Sequence, residues 1–195
     1  MTGNQKMSVY VVICIRIDCK WNEIGGIEMV DARDAARYII SLDINKEYFT
    51  KRLIKLNGRE FYEGNARLNK ILHMAQNIYI GREGNKLINA DFYAYDNGGV
   101  IPDIQENYAF LIATNANTEF HVDEEDQIFL HKVFVMLKDA PIEELIEIDH
   151  EDPAWEEKHM FHIRKKDQIM NSLSYADDYR DRYEAANFYI DRMEI

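Results

Sequence analysis

Hydrophobic residues recur at helical spacing between Asn65 and Ile80, and this is the clearest pattern in the chain. Its apolar positions share one helix face: Leu68, Ile71, Leu72, Ala75, Ile78 and Tyr79. That spacing predicts an amphipathic helix whose apolar face lies in the core. Asn65 can cap the N-terminus of this helix, and Gly81 is a typical C-terminal stop.

Shorter helices and one strand are predicted in the rest of the chain. The helices are Ala35–Ile40 after a capping Asp31, Pro102–Thr114, Glu124–Lys138, one from Pro141 to about Ile148, and one around Trp155. Leu87–Tyr95 has strand character, and the turn residues Asn97-Gly98-Gly99 end it. Residues 43–64 are polar and mixed, which favours a partial helix and a loop. The pattern therefore predicts a mainly α (α+β) fold, a compact helical domain with a small β-sheet or hairpin.

The first 28 residues differ from the rest of the chain. Val9–Ile17 is rich in β-branched residues and predicts a buried strand, and Gly25-Gly26 follows shortly before Met29. Two interpretations stay open: an ordinary N-terminal strand with a Gly-Gly turn, or an extension upstream of a natural start at Met29. We expect residues 1–28 to form a strand or extension of their own and residues 29–195 to form one domain.

Negative charge is concentrated in one part of the sequence. The 195-residue chain has a net charge of −12, and residues 119–159 contain fourteen acidic and three basic residues. This balance disfavours direct nucleic-acid binding, because such binding depends on cations that meet phosphates. The acidic run is either a solvated helical face or a docking surface for a basic protein partner. The residues that we expect to form the docking surface are Glu124, Glu125, Glu143 and Glu144.

Neither the cysteines nor the apolar segments indicate export or a membrane. Cys14 and Cys19 are too few for a disulfide framework, and free thiols fit a reducing cytoplasm. The longest apolar run, Val9–Ile15, is far shorter than the roughly 20 residues that a spanning helix needs. We therefore expect a cytoplasmic protein with no membrane partner.

No catalytic, cofactor or metal motif is recognisable. Phosphate-binding glycine loops, a Gly-x-Ser-x-Gly elbow and the His-Glu-x-x-His zinc motif are all missing from the sequence. His73 lies within the strong helix and is interpreted as a packed or half-exposed residue. A metal-dependent hydrolase that uses His150, His159 and His162 is a remote alternative, because the spacing of these residues matches no known site. The residues alone thus favour a non-enzymatic binding protein without cofactor or metal.

Four motifs follow one another in a fixed order. An Ala-x-Tyr-Ile-Ile-like segment lies at Ala35–Ile40, and Leu-x-Lys-Ile-Leu-x-x-Ala-Gln spans Leu68–Gln76. An aromatic strand with a Gly-Gly-Val-Ile-Pro ending spans Phe92–Pro102, and a Leu…His…Pro-x-Trp element spans Leu145–Trp155. Together they resemble the Panacea domain family, also called SocA-like or phage-associated, over about residues 29–193.

This resemblance implies a largely helical, cytoplasmic, non-enzymatic protein that binds another protein. Family members resemble antitoxins that neutralise a toxin, some are similar to proteolytic adaptors that deliver the toxin to a protease, and many come from prophages. The alternative is a phage protein that inhibits a host defence factor. The motif residues, which serve as scaffold or as binding residues, are Leu68, Lys70, Leu72, Ala75, Gln76, Tyr93, Tyr95, Gly98, Gly99, Val100, Pro102, His150, Pro153 and Trp155.

Overall fold

The computed structural model describes residues 29–56, 58–159 and 168–195. Helices dominate these residues, and short strands lie between them, which confirms the predicted mainly α fold with a small β component. The helices are α1 Ala32–Leu42, α2 Glu63–Glu83, α3 Pro102–Thr114, α4 Glu124–Leu137, α5 Ile142–His150, α6 Pro153–His159, α7 Ala176–Arg182 and α8 Glu184–Arg192. The strands are β1 Val30–Asp31, β2 Leu53–Leu56, β3 Arg59–Tyr62, β4 Ile88–Asn89, β5 Tyr93–Tyr95 and β6 Gly98–Val100.

Helix α2 is the central element, and most of the other helices pack around it. Its predicted apolar face is in the core, where Leu68, Ile71, Leu72 and Ala75 are fully buried. The opposite side of the helix is buried as well, and it is polar. Since a helix surrounded by protein needs no solvent-facing stripe, the amphipathic interpretation describes only half of this helix.

The ends of α2 differ from the predicted ends. The helix begins at Glu63, so Asn65 lies in its first turn, where its side chain donates to the carbonyl of Gln105. The helix passes through Gly81 and ends at Glu83, and the capping residue Gly84 has a φ of 72° that suits a glycine. Gly81 serves close packing instead, because a Cβ there would lie 2.7 Å from the carbonyl carbon of Tyr179.

In the described part of the chain, three two-stranded sheets lie around α2. β1 pairs with β4 in parallel, β2 with β3 antiparallel, and β5 with β6 antiparallel. The expected single strand Leu87–Tyr95 is wrong in extent: it is two short strands, of which only β5 belongs to the hairpin. Gly98 and Gly99 do not end that hairpin but begin its second strand, β6.

The prediction of a partial helix within residues 43–64 is also wrong, because the described part of this segment is a loop followed by the β2–β3 hairpin, and only the start of α2 at Glu63 is helical. By contrast, Asp31 caps α1 as expected, since its carboxylate accepts the backbone N–H groups of Arg33 and Asp34. The predicted strand Val9–Ile17 lies outside the described residues. Within the described ranges, no helix is long and apolar enough to cross a membrane.

Candidate functional site

A cluster of charged side chains lies inside the protein beside α2. Lys70, His73 and Asn77 project from one side of the helix, because positions three and four residues apart share a face. Asp149 at the end of α5 and Asp152 just before α6 meet them. Each of these five residues is at most 2% exposed. Buried charges require partners, so the contacts within the cluster determine whether it is stable.

Asp149 is the centre of the cluster. Its Oδ2 lies 2.6 Å from Lys70 Nζ, and its Oδ1 lies 2.5 Å from His73 Nδ1. The same Oδ2 accepts the backbone N–H of Gly99 at 2.6 Å. One carboxylate thus joins α2, α5 and β6 through three charge-assisted contacts, which are the strong class of hydrogen bond.

Asp152 receives the second set of donors. Its Oδ2 lies 3.1 Å from His73 Nε2 and 2.7 Å from Asn77 Nδ2. Its Oδ1 accepts the Tyr179 hydroxyl at 2.7 Å and the N–H of Ala154 at 2.8 Å. Asp152 therefore ties α7 and the start of α6 to the central helix.

The pKa directions favour the charged forms of His73, Asp149 and Asp152. Burial by itself would lower the pKa of His73, but the two carboxylates outweigh it and raise that pKa to about 9. Burial likewise favours neutral Asp149, yet the cations of His73 and Lys70 bring its pKa down to about 2. Burial raises the pKa of Asp152, but the contacts with His73 and Tyr179 outweigh this effect. The pKa of Asp152 therefore lies below its usual value. Burial lowers the pKa of Lys70, and the nearby Asp149 opposes this shift only in part. When Lys70 is charged, the two cations Lys70 and His73 balance the two anions Asp149 and Asp152.

The Gly98-Gly99 pair lets β6 approach this cluster. A Cβ on Gly98 would lie 2.0 Å from Asp149 Oδ2, and one on Gly99 would lie 2.5 Å from His73 Nδ1. Gly98 also has a φ of 98°, which side chains rarely adopt. The carbonyl of Gly99 accepts Lys70 Nζ at 2.9 Å, while its N–H donates to Asp149. The Lys70–Asp149 ion pair thus satisfies the N–H and C=O groups of Gly99, which would otherwise need a neighbouring strand as their partner.

Two further polar residues of α2 hold other backbone segments. Asn69 Oδ1 accepts the N–H of Ile101 at 3.1 Å, just before α3. Gln76 Oε1 accepts the N–H groups of Leu87 and Ile88 at 3.1 Å and 2.8 Å. The buried polar side of α2 is therefore a row of anchors for the chain that follows it.

Trp155 forms the outer edge of the site. Its ring lies between the imidazoles of His150 and His159, with both centroid distances at 4.2 Å, and its Nε1 donates to the carbonyl of Tyr95 at 2.9 Å. His150 is thus engaged in stacking rather than in a ligand set with His159. His162, the third residue of the hydrolase alternative, lies outside the described residues, and within them no group of three or more His, Cys, Asp or Glu side chains could hold a metal.

All of the predicted motif residues are buried or half-buried. Lys70, Gly98, Gly99 and the α2 residues Leu68, Leu72, Ala75 and Gln76 are buried, as are Val100 and Trp155. Tyr93, Tyr95, Pro102, His150 and Pro153 are half-buried. The structure thus brings the separate motifs of the sequence together around α2.

The four predicted acidic residues are all exposed, but they fall into two pairs. Helix α4 runs antiparallel to α2: Phe129 meets Tyr79 at a centroid distance of 5.4 Å, and Arg67 donates to the carbonyls of Lys138 and Ala140. Glu124 and Glu125 therefore lie near the C-terminal end of α2, and Glu143 and Glu144 follow the contact at its N-terminal end. Arg67 and Tyr79 are about 18 Å apart along the helix at 1.5 Å per residue.

The family model described as antitoxin SocA-like, Panacea domain, matches residues 68–156. This part of the chain is similar to the SocA-like Panacea family. The match begins within α2 and ends at α6, so it contains Lys70, His73, Asp149 and Asp152 but neither Ala35–Ile40 nor Tyr179. No curated protein and no solved structure matches the chain.

Sequence reasoning missed the acidic members of the buried charged cluster. Asp149 and Asp152 lie within a run of fourteen acidic residues, and no local signal distinguishes them from the exposed ones. Tyr179 is far away in the sequence. His73 was recognised only as packed or half-exposed, whereas it is a fully buried member of the cluster. The available signal was the row of polar residues opposite the apolar face of α2.

The positive charge of His73 predicts that the domain loses stability at alkaline pH. A pKa raised from 6.5 to about 9 stabilises the fold below pH 6.5, and this contribution is lost as the pH rises through about 9. We expect the free energy of unfolding to fall by about 2–3 kcal/mol across this window. Urea denaturation at several pH values measures this slope.

His73→Gln should remove most of this alkaline slope while it lowers stability at pH 6.5. His121→Gln is the matched control, because His121 is exposed and should leave the slope unchanged. If wild-type stability is the same at pH 6.5 and pH 9, His73 is not held as a cation. At the acid end, the contribution of Asp149 should be lost as the pH falls from 3.8 to about 2.

Proposed function

We propose that this protein is a cytoplasmic antitoxin that neutralises a toxin by binding it, without catalysing a reaction. The observation that carries the proposal is the match of residues 68–156 to an antitoxin-like family, together with the burial of the chemically capable residues of that match. Side chains that substrate cannot reach stabilise a scaffold, and binding then depends on the surface that the scaffold supports.

The charge distribution supports a basic partner. Glu124, Glu125, Glu143 and Glu144 are exposed at the first turns of α4 and α5, and none of them forms an ion pair with another described residue. Unpaired carboxylates on an exposed surface steer a partner of opposite charge and thereby raise its association rate. A toxin with a basic surface fits this arrangement.

Co-expression tests the antitoxin role. The protein encoded by the gene next to this one should arrest bacterial growth when produced alone, and co-production of this chain should restore growth. The two proteins should also co-purify. A neighbour that is harmless, or a growth arrest that persists although the proteins bind, would refute neutralisation. Binding to a host defence protein instead would support the alternative of a phage-encoded inhibitor.

Charge reversal tests the acidic surface. We expect the variant with Glu124, Glu125, Glu143 and Glu144 all changed to lysine to associate with the neutralised partner about tenfold more slowly at low salt. The difference should shrink at high salt, where screening shortens electrostatic range to a few ångströms. Stopped-flow fluorescence at two ionic strengths measures both effects. The fold should be retained, because exposed charges contribute little stability individually.

Because the four residues form two separated pairs, each pair is also reversed alone. The pair that contacts the partner should account for most of the slowing. Asp178→Lys with Glu184→Lys is the control, since both residues are exposed and lie outside the acidic run. Equal association rates for wild type and the fourfold variant would show that the acidic run is only a solvated face.

A further inference from the structure

Among the described residues, the outer edge of the β2–β3 hairpin is open. β3 lies against α2, whereas β2 lies outside β3 and pairs with no other described strand. Exposed strand edges are avoided or covered in most proteins, because their unpaired backbone groups attract another strand. The exposed edge of β2 is therefore a candidate binding surface.

The hydrogen-bond pattern identifies the open groups. Glu63 N–H donates to the carbonyl of Arg52 at 2.9 Å, which fixes Arg52 and Glu63 as a hydrogen-bonded pair. Since such pairs alternate with non-bonded pairs, Leu53 and Lys55 direct their N–H and C=O groups away from β3. Among the described residues, these groups have no hydrogen-bond partner.

The side chains along this edge are basic and partly apolar. The segment 51–62 contains four basic residues and one acidic residue, in a chain of net charge −12. Arg52 pairs with Glu63 and Arg59 pairs with Asp96, but Lys51 and Lys55 are exposed without an ion pair among the described residues. Leu53, which shares a sheet face with Lys55, is 59% exposed.

We propose that the outer edge of β2 binds an extended acidic segment of a partner protein, which adds a third strand to the hairpin. The open N–H and C=O groups of Leu53 and Lys55 supply the backbone hydrogen bonds. Side chains directly opposite each other on one sheet face interact, so the segment carries an apolar residue opposite Leu53 and an acidic residue opposite Lys55. Its recognition pattern is apolar-x-acidic, with a second acidic residue near Lys51.

This binding site is separate from the acidic surface of the proposed function. Its occupant has the opposite charge, so the two proposals can fail independently. A peptide strand fits better than nucleic acid here, because the edge offers backbone donors and acceptors and the rest of the chain repels phosphates.

A synthetic octapeptide serves as the probe. Every second residue of this peptide is threonine, the residues between the threonines alternate between valine and glutamate, and both ends are blocked. A second peptide has lysine in place of glutamate. Titration into the full ¹⁵N-labelled chain should shift the amide signals of Leu53 and Lys55 with the glutamate peptide and not with the lysine peptide. The reverse preference, or no shift with either peptide, would overturn the proposal.

Two sets of variants distinguish the contribution of side-chain charge to binding from that of backbone hydrogen bonds. Lys51→Glu with Lys55→Glu should weaken glutamate-peptide binding by about tenfold, whereas Lys86→Glu with Arg180→Glu, both away from the hairpin, should not. Lys55→Pro should weaken binding further than Lys55→Ala, because only proline removes the open N–H group. If Lys55→Pro does not fold, the amide shifts of Leu53 and Lys55 in the wild-type chain still decide the backbone question.

Two other occupants are distinguished by the same samples. Sedimentation of the chain alone shows whether a second copy takes this edge, in which case Lys51→Glu with Lys55→Glu would change the oligomeric state without any peptide. Preferential binding of a single-stranded oligonucleotide over the glutamate peptide would likewise overturn the proposal.

Discussion

Replacing Asp149 with alanine is expected to lower the free energy of unfolding by about 3–5 kcal/mol, the usual cost of removing one partner from a buried ion pair. Asp149 lies between Lys70 and His73 and also accepts the N–H of Gly99. Without its carboxylate, two buried cations share the single remaining anion, and the Gly99 N–H loses its acceptor. Chemical denaturation followed by circular dichroism measures the loss.

Asp139→Ala is the matched control. Asp139 accepts hydrogen bonds from Tyr48 and Lys138, but its side chain is 68% exposed, so its removal should leave the free energy of unfolding nearly unchanged. Asp149→Asn should be intermediate, because it keeps the size of the side chain and can still accept the Gly99 N–H. Equal stabilities of Asp149→Ala and Asp139→Ala would mean that the cluster contributes no more than a surface ion pair does.

Gly98→Ala is the second change with a large expected effect, a loss of about 2–5 kcal/mol. Part of the loss comes from the backbone, since a side chain at a φ of 98° is strained. The rest comes from a Cβ placed 2.0 Å from Asp149 Oδ2 and 2.5 Å from Lys70 Nζ, which would push the ion pair apart.

Gly84→Ala isolates the backbone part of that loss. Gly84 also has a positive φ, of 72°, but no atom lies within 4 Å of the position that its Cβ would take. We expect this variant to lose about 1 kcal/mol, the ordinary cost of alanine in place of glycine in the left-handed region. Should Gly98→Ala lose no more than Gly84→Ala, the cluster would tolerate displacement and the close approach of β6 would be unimportant.

The sequence predicted the elements whose cause is local. The spacing of Leu68, Ile71 and Leu72 follows the helical period, and Pro102 marks the start of α3 as expected. The β2–β3 hairpin also has a local signal in the sequence. The dipeptide Asn57-Gly58 lies between two short apolar segments, and Gly58 has the positive φ of a hairpin turn.

The charged cluster could not be predicted in the same way. Lys70 and Asp149 are 79 positions apart, and their contact results from the packing of α5 against α2 rather than from any local preference. The burial of Lys70 and Asp149 is also contrary to the usual pattern, because lysine and aspartate side chains are mostly exposed. The family motifs placed Lys70 and Gly99 among the important residues, but only the structure shows that both serve the same carboxylate.

The way in which Gly99 is held affects how the domain opens. In most hairpins an outer strand can separate from its neighbour while the rest of the protein stays folded, and its amides then exchange with solvent through local fluctuations. Here, detaching β6 would strip Asp149 and Lys70 of a backbone partner inside the core, so the cost of local opening approaches that of losing the core itself. We therefore expect the hairpin and the helices around α2 to open as one cooperative unit.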